Sequence, residues 1–198
     1  DNGYLFFNVT PVELKIDGDS VDVEMRITEG KPATFNNIII NGNTITSEKI
    51  ARRALYTRPG YLFSQSDFER SLRELASIGH FEAERAYSEA GYTLLPNQQN
   101  NTVDIAYNLA EKPNSQLELS GGWGGDTFVG TLGVSFNNFS VRRMFEKGAW
   151  RPVPLGDGQT LSIRFQTNGT YYTALSLSFM EPWLTGKKPT SLNFSAYY

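Results

Sequence analysis

Two spacings of hydrophobic residues divide the chain. Residues 20–28 (Ser-Val-Asp-Val-Glu-Met-Arg-Ile-Thr) put Val21, Val23, Met25 and Ile27 on one side of an extended chain, the period of a half-buried strand. Residues 4–9 read as a strand, and residues 12–16 alternate up to Asp17-Gly18-Asp19, a good hairpin turn. A lone hairpin is marginal in water, so residues 1–30 are expected to complete a domain that lies upstream. Residues 35–40 read as a strand closed by Asn41-Gly42-Asn43. The spacing then turns helical. Ser47 can cap a short helix carrying Ile50, Ala54 and Leu55, which Pro59-Gly60 breaks. Ser66 and Glu69 form a capping box for a second helix with Phe68, Leu72 and Leu75, stopped at Gly79. Residues 81–95 and 102–110 read as strands joined by the polar residues 97–101. Residues 31–113 are thus expected to be a β-α-α-β-β unit, α+β in class, with a helix pair on a three-stranded sheet and one open edge.

From Ser115 onward the period is two almost throughout. Leu117, Leu119, Gly121 and Trp123 oppose Glu118, Ser120 and Gly122; Phe128, Leu132, Val134 and Phe136 oppose Val129, Thr131 and Ser135. Three more strands follow: Leu161, Ile163 and Phe165 alternate with Ser162, Arg164 and Gln166; Leu175, Leu177 and Phe179 with Ala174, Ser176 and Ser178; Leu192, Phe194 and Ala196 with Asn193 and Ser195. Turns are expected at Gly124-Gly125-Asp126, at Asn168-Gly169 and over residues 182–189. A soluble β-sandwich gives the same alternation. Its solvent face would carry many Lys and Glu, whereas the polar face here carries Glu118 and Arg164. Aromatics gather near strand ends (Trp123, Phe139, Tyr171, Tyr172, Trp183, Tyr197, Tyr198), as in the girdles of outer-membrane barrels. Residues 114–198 are therefore expected to be antiparallel transmembrane strands. Five such strands cannot close in lipid, so they are expected to belong to a longer protein. The start at Asp1-Asn2-Gly3 likewise suggests a piece of a larger precursor.

Composition sharpens the boundary. Residues 1–113 carry 16 acidic and 11 basic residues; residues 114–198 carry 5 and 7, yet hold 11 of the 18 Gly and 14 of the 26 aromatics. A fall in charge with a rise in Gly and aromatics suggests two solvents. The net charge of −3 excludes a basic footprint for nucleic acid. The absence of Cys excludes thiolate metal sites and thiol nucleophiles, and the one His, His80, excludes a His-rich centre. No catalytic set, cofactor motif or metal site is read. His80 follows Gly79 at a helix end, where a capping or solvent-facing role is expected, and Glu82, Glu84 and Glu89 are read as solvating one face of a strand.

Several motifs, in order, carry a resemblance. Ile38-Ile39-Ile40-Asn41-Gly42-Asn43, then Phe63-Ser64, Phe68, Leu72, Leu75 and Gly79-His80-Phe81, resemble the recurrent pattern of POTRA domains. Gly121-Gly122-Trp123-Gly124, Asn137-Asn138-Phe139 and Glu181-Pro182-Trp183-Leu184 are similar to the first barrel strands of the BamA family of outer-membrane protein assembly factors. The resemblance implies the closing hairpin of one POTRA domain (1–30), a complete POTRA domain (31–113) and the first five strands (114–198) of a barrel of about 16. It also implies a Gram-negative outer-membrane location with POTRA domains in the periplasm. Its partners would be unfolded outer-membrane protein clients, accessory assembly lipoproteins or other Bam-type subunits, and outer-membrane lipid. Function would be physical, the insertion of client barrels without covalent chemistry.

Two edges are read as candidates for client pairing by β-augmentation. One is the first barrel strand with Leu117, Glu118, Leu119, Ser120, Gly121, Gly122 and Trp123, whose glycines weaken pairing; a barrel bend explains the same glycines. The other is Phe81, Glu82, Ala83, Glu84, Arg85, Ala86 and Tyr87, read as an edge strand that its charges equally well guard. Residues 139–158 depart from the family, which has a short turn there. Arg142, Arg143, Lys147 and Arg151 make this the most basic stretch, either a docking loop or a segment lying on the membrane surface through Met144, Phe145 and Trp150. A secretion or autotransporter-assembly pore, a passive porin, and an outer-membrane enzyme remain as alternatives.

Overall fold

The computed structural model describes residues 3–18, 20–113, 115–124, 127–150, 152–169, 171–186 and 188–198, without the side chains of Ile16 and Asp17. Asp1, Asn2, Asp19, Gly125, Asp126 and Arg151, which figure in the reading above, lie outside the described residues. The chain forms two compact units: Asp1–Gly42, Ala54–Ile78 and Ala83–Ala110; and Asn43–Arg53, Gly79–Glu82 and Glu111–Tyr198.

In the first unit, β1 (Asn8–Asp17) and β2 (Ser20–Thr28) form an antiparallel ribbon running from the Asn8–Thr28 pair to the Asp17–Ser20 pair. The two short strands expected before Asp17 are one, because a ribbon edge tolerates Pro11; residues 4–7 are not strand. Val21, Val23, Met25 and Ile27 are exposed.

A separate three-stranded sheet holds β3 (Thr34–Asn41), β4 (Tyr92–Asn97) and β5 (Thr102–Asn108). β5 is central, parallel to β3 and antiparallel to β4. Every second residue of β5 (Val103, Ile105, Tyr107) is fully buried, as is Phe35 of β3, and Ile38 is buried beside them. The helix α2 (Gln65–Ser77) buries Phe68, Ser71, Leu72 and Leu75, the face its spacing dictated. The Phe68 ring meets Tyr92 edge-on at 5.0 Å and stacks with Tyr107 at 6.1 Å, and the Tyr107 hydroxyl shares a hydrogen bond with Thr57 at 3.0 Å. The cap is Ser64 rather than Ser66: the helix starts at Gln65, and the Ser64 Oγ accepts the Asp67 N–H at 3.2 Å.

Residues 81–91 differ from the expected strand. Ala83–Tyr87 is a one-turn helix, α3, with Ala86 buried, and Glu89–Gly91 is a 3-10 turn; strand begins only at Tyr92. Ala83 and Ala86 favour helix, and Gly91 brings the returning chain onto it: a Cβ there would lie 1.9 Å from the Arg85 carbonyl oxygen. Glu82, Glu84 and Glu89 are therefore not one face of a strand, and residues 81–87 offer no ladder of free backbone groups. The sheet's edges are β3 and β4. Part of the β3 edge is covered, since Phe35 N–H donates to the Tyr61 carbonyl and Gly60 N–H to the Phe35 carbonyl. β4 carries Pro96, which has no donor.

In the second unit, α1 (Glu48–Arg53) buries Ile50 and Ala51, and β6 (Gln116–Gly124), β7 (Thr127–Phe139), β8 (Gln159–Asn168), β9 (Thr173–Glu181) and β10 (Leu192–Tyr197) form one sheet in sequence order. All neighbours are antiparallel, so the starts of β6, β8 and β10 share one end of the sheet, the near end, with the ends of β7 and β9. There Glu111 organises the turn before α1. Its carboxylate accepts the N–H groups of Thr44 (3.0 Å), Ile45 (2.9 Å) and Thr46, and the Thr44 hydroxyl at 2.6 Å. Burial alone would raise the Glu111 carboxyl, but these bonds outweigh it and hold it below its ordinary value. His80 is held below its ordinary value by burial, which Glu111 opposes and Lys112 assists.

Both groups contribute stability that is complete above their unfolded pKa and is lost as pH falls through the folded value. Acidification should therefore lower the unfolding midpoint of this unit first below the ordinary His value of 6.5 and again below the ordinary carboxyl value of 4.5. Glu111→Gln should remove the second stage and lower the midpoint at neutral pH, read by urea unfolding across pH. Two glycines give a second check. Gly79 (φ +83°) has open space where a Cβ would stand, so Gly79→Ala should cost only left-handed strain, about 1–2 kcal/mol. At Gly42 (φ +87°) a Cβ would lie 1.9 Å from the Leu109 carbonyl oxygen, so Gly42→Ala should cost clearly more, about 3 kcal/mol or above.

Candidate functional site

The edge strand β6 pairs only with β7 among the described strands, and all nine of its residues are exposed. Register sorts the whole sheet into rows. Leu117 faces Val134, which faces Ile163, then Leu177, then Ala196; Leu119 leads to Leu132, Phe165 and Leu175; Phe136 leads to Leu161, Phe179 and Phe194. These rows make one apolar face, and it is open: Leu117, Leu119 and Trp123 are 73%, 78% and 76% exposed, with Leu132, Ile163, Phe165, Leu175 and Phe194 exposed behind them. A soluble monomer rarely shows so continuous an apolar surface.

The opposite face is polar and nearly uncharged. One row reads Gln116, Ser135, Ser162, Ser178, Ser195. Ser135 and Ser162 share a hydrogen bond at 2.8 Å, and Ser178 and Ser195 one at 3.2 Å. The next row holds the strands' one ion pair among the described residues: Arg164 Nη2 donates to Glu118 Oε2 at 2.7 Å. Glu118 is on β6 and Arg164 on β8, so the pair passes over β7 at Gly133, the residue opposite both. A Cβ on Gly133 would stand 3.1 Å from Glu118 Oε2 and 3.3 Å from its Cβ. A shallow cavity of about 380 Å³ lies on this face, lined by Gln116, Glu118, Ser162, Arg164 and Ser176 among others.

Toward the far end, Gly121 of β6 faces Gly130 of β7. The Phe128 ring covers both: Cβ atoms on Gly121 and Gly130 would come within 3.0 and 2.9 Å of it. The ring also meets Trp123 at 6.1 Å. Thus the predicted β6 residues Leu117 through Trp123 do form one exposed edge, fastened near its start by an ion pair and near its end by one aromatic ring. Glycine content suggested a weak strand; the ring that fills the gap was not visible without register. Tyr171 is exposed at the same far end.

The basic loop at the near end is committed largely to itself. After the 3-10 turn Arg142–Phe145, Arg142 pairs with Asp157 at 3.1 Å, while Arg143 donates to the Leu155 carbonyl at 2.7 Å and pairs with Glu146 at 3.0 Å. The buried Ser140 donates to Asp157 and accepts the Arg143 N–H. Lys147 is exposed, as are Phe145 and Trp150. Behind the loop lies a polar network the sequence did not reveal. Asn138 donates to Thr46 Oγ1 (3.0 Å) and accepts the Gly158 N–H (2.9 Å). Gln159 accepts the Val141 N–H (2.7 Å) and donates to Glu181 (2.6 Å), which accepts the Trp183 N–H (2.8 Å). Phe81–Tyr87, the other predicted edge, is helical from Ala83, and Phe81 makes a single bridge to Glu111.

Removal of the Phe128 ring should loosen the far half of β6 selectively. In Phe128→Ala, amide hydrogen exchange at residues 121–123 should accelerate, since the half-exposed ring that covers Gly121 and Gly130 is lost, while exchange at residues 117–119 should change little.

Comparison with known proteins agrees with this geometry. The POTRA family (surface antigen variable number repeat) matches residues 33–112. The chain is 26% identical over 197 residues to the outer membrane protein assembly factor BamA of Neisseria meningitidis serogroup B, covering 98% of this chain and 22% of that protein. It is 28% identical over 139 residues to the assembly factor BamA of Neorickettsia risticii, covering 70% of this chain and 18% of that protein. The crystal structure of BamA from Haemophilus ducreyi lacking POTRA domains 1–3 shares its fold, with a TM-score of 0.71 at 21% identity over 100% of this chain and 34% of that one. The chain spans about a fifth of the length of the curated relatives it matches. Residues 33–112 thus match the POTRA family, and over nearly its whole length the chain is similar to these BamA assembly factors.

Proposed function

We propose that this chain is the junction of an outer-membrane protein assembly factor, in which the POTRA domain lies in the periplasm, strands β6–β10 open a transmembrane barrel, and β6 is the edge on which client strands pair. The carrying observation is the β6 edge itself: nine exposed residues, one apolar face and a row of backbone groups paired on one side only. Strands of 9–13 residues in β6–β9 suit a bilayer crossing. Lipid allows no open sheet edge, so β6 and β10 must be paired with further strands when the apolar rows face hydrocarbon. If β6 and its closing partner separate, the freed donors and acceptors bind any extended segment that offers a complementary ladder. Main-chain pairing is indifferent to most side chains, which suits many clients.

No covalent step is required, and the work is exchange of one strand pairing for another. The ion pair at Glu118 and the ring at Phe128 set how firmly β6 stays on β7 while its outer side exchanges. Similar names among relatives support assembly of outer-membrane proteins. A secretion pore of the same superfamily would also close on β6 but would not hand that edge to a folding barrel. In the POTRA unit, β4 replaces residues 81–87 as the edge on which an extended partner can add, over its residues before Pro96.

The test pairs a Cys at Leu119 or Gly121 with Cys residues scanned along the terminal strand of a client barrel in cells. The chain has no Cys of its own. Disulfides that recur at alternate client positions are the expected outcome. Absence of a crosslink at every register, with the protein folded in the membrane and conducting ions, would favour the secretion-pore or porin reading.

A further inference from the structure

We propose that Lys49 and Arg53 of α1, together with Trp183 and Gly186 between β9 and β10, form a site for the phosphate of an anionic lipid headgroup. Residues four apart on a helix share a face, and two cations there repel each other unless an anion is supplied. Among the described residues, no carboxylate pairs with either. The nearest acid in sequence, Glu48, is taken by Arg52 at 2.6 Å. Arg53 is aimed by Trp183, whose ring lies 4.7 Å from its guanidinium carbon, and its Nε is buried with no hydrogen-bond partner. An unpaired buried guanidinium donor is costly, and an acceptor brought by a ligand would relieve it.

Gly186 makes the space. It sits in the left-handed region (φ +70°), and the position a Cβ would occupy is 3.5 Å from Lys49 Nζ and 3.8 Å from Arg53 Nη2. Two cationic donors thus converge over a residue without a side chain, at an open depression of about 420 Å³ lined by Glu48, Lys49, Arg52, Arg53 and Gly186. A tetrahedral oxyanion takes donors from an Arg fork and a Lys point charge at once. The surroundings favour a lipid over free phosphate. Leu184 and Leu192 are exposed beside this connection, Trp183 is half-buried, and the apolar rows of the sheet end here. Cations flanked by Trp and Leu at the end of an apolar belt match the headgroup level of a bilayer. The inference rests on the membrane placement proposed above.

The test uses the complete protein folded in detergent micelles and in bilayers. Binding of phosphatidylglycerol, phosphatidylcholine and inorganic phosphate is measured by native mass spectrometry and by titration, for the natural protein and for Lys49→Glu, Lys49→Ala and Arg53→Lys. Lys49→Ala should weaken phosphatidylglycerol binding about fivefold and Lys49→Glu further. Arg53→Lys keeps the charge but loses the fork and should also weaken binding. Lys49 is exposed, so its variants should fold; flotation with phosphatidylcholine vesicles checks this. Equal phosphatidylglycerol binding by the natural protein and Lys49→Glu, with both floating, would overturn the site. Inorganic phosphate bound as tightly as the lipid would overturn the lipid assignment. Failure of the natural protein to float would instead overturn the membrane placement.

Discussion

A peptide group must place its N–H and C=O somewhere, and in this chain that obligation decides more than any side chain does. β6 satisfies one side of its backbone on β7 and leaves the other bare. In water such an edge is solvated; in hydrocarbon it cannot stay open. The same nine residues are therefore tolerable only where another strand covers them. Under the proposed membrane placement of these Leu, Ile and Phe rows, whether that cover is fixed or exchangeable separates a porin from an assembly factor.

The near end of the sheet obeys the same obligation by other means. There the chain leaves regular pairing over residues 140–158, and its polar groups are met by side chains: Asn138 on Thr46 and Gly158, Gln159 on Val141 and Glu181, Glu111 on three successive N–H groups. The consequence is a sheet whose two ends differ in kind. The near end is held by a network of side-chain hydrogen bonds, of which the Asn138–Thr46 bond is buried and costly to leave unmade. The far end carries the facing Gly121–Gly130 pair and exposed aromatics.

The strands of the sheet were legible because a two-residue period persists over five segments and is punctuated by Gly, Asn and Pro. The helix α2 was legible because Phe68, Leu72 and Leu75 recur at helical spacing over about two turns. α3 was not. Five residues cannot display a 3.6-residue period, and the charges at Glu82, Glu84 and Glu89 read as one face of a strand. The cap moved from Ser66 to Ser64 for a similar reason: both serines have an acidic residue three positions on, Asp67 or Glu69, and only the helix start chooses between them. Arg142 and Arg143 looked like a free basic surface because the carboxylate of Asp157, which takes Arg142, lies 15 residues away. The features that shape the β6 edge, Phe128 over Gly121 and the bridge from Glu118 to Arg164, join positions on different strands, and no local pattern announces a cross-strand register.

Gly133 has a further meaning when the molecule is considered over evolutionary time. Because it has no side chain, positions 118, 133 and 164 on three strands share one small volume. A methyl group at 133 requires Glu118 to give by a few tenths of an ångström, and a new residue at 118 changes what 164 must balance. Substitution at any one of the three is thereby coupled to the other two. Divergence along this edge should proceed by linked steps here and by independent ones in the serine row beside it.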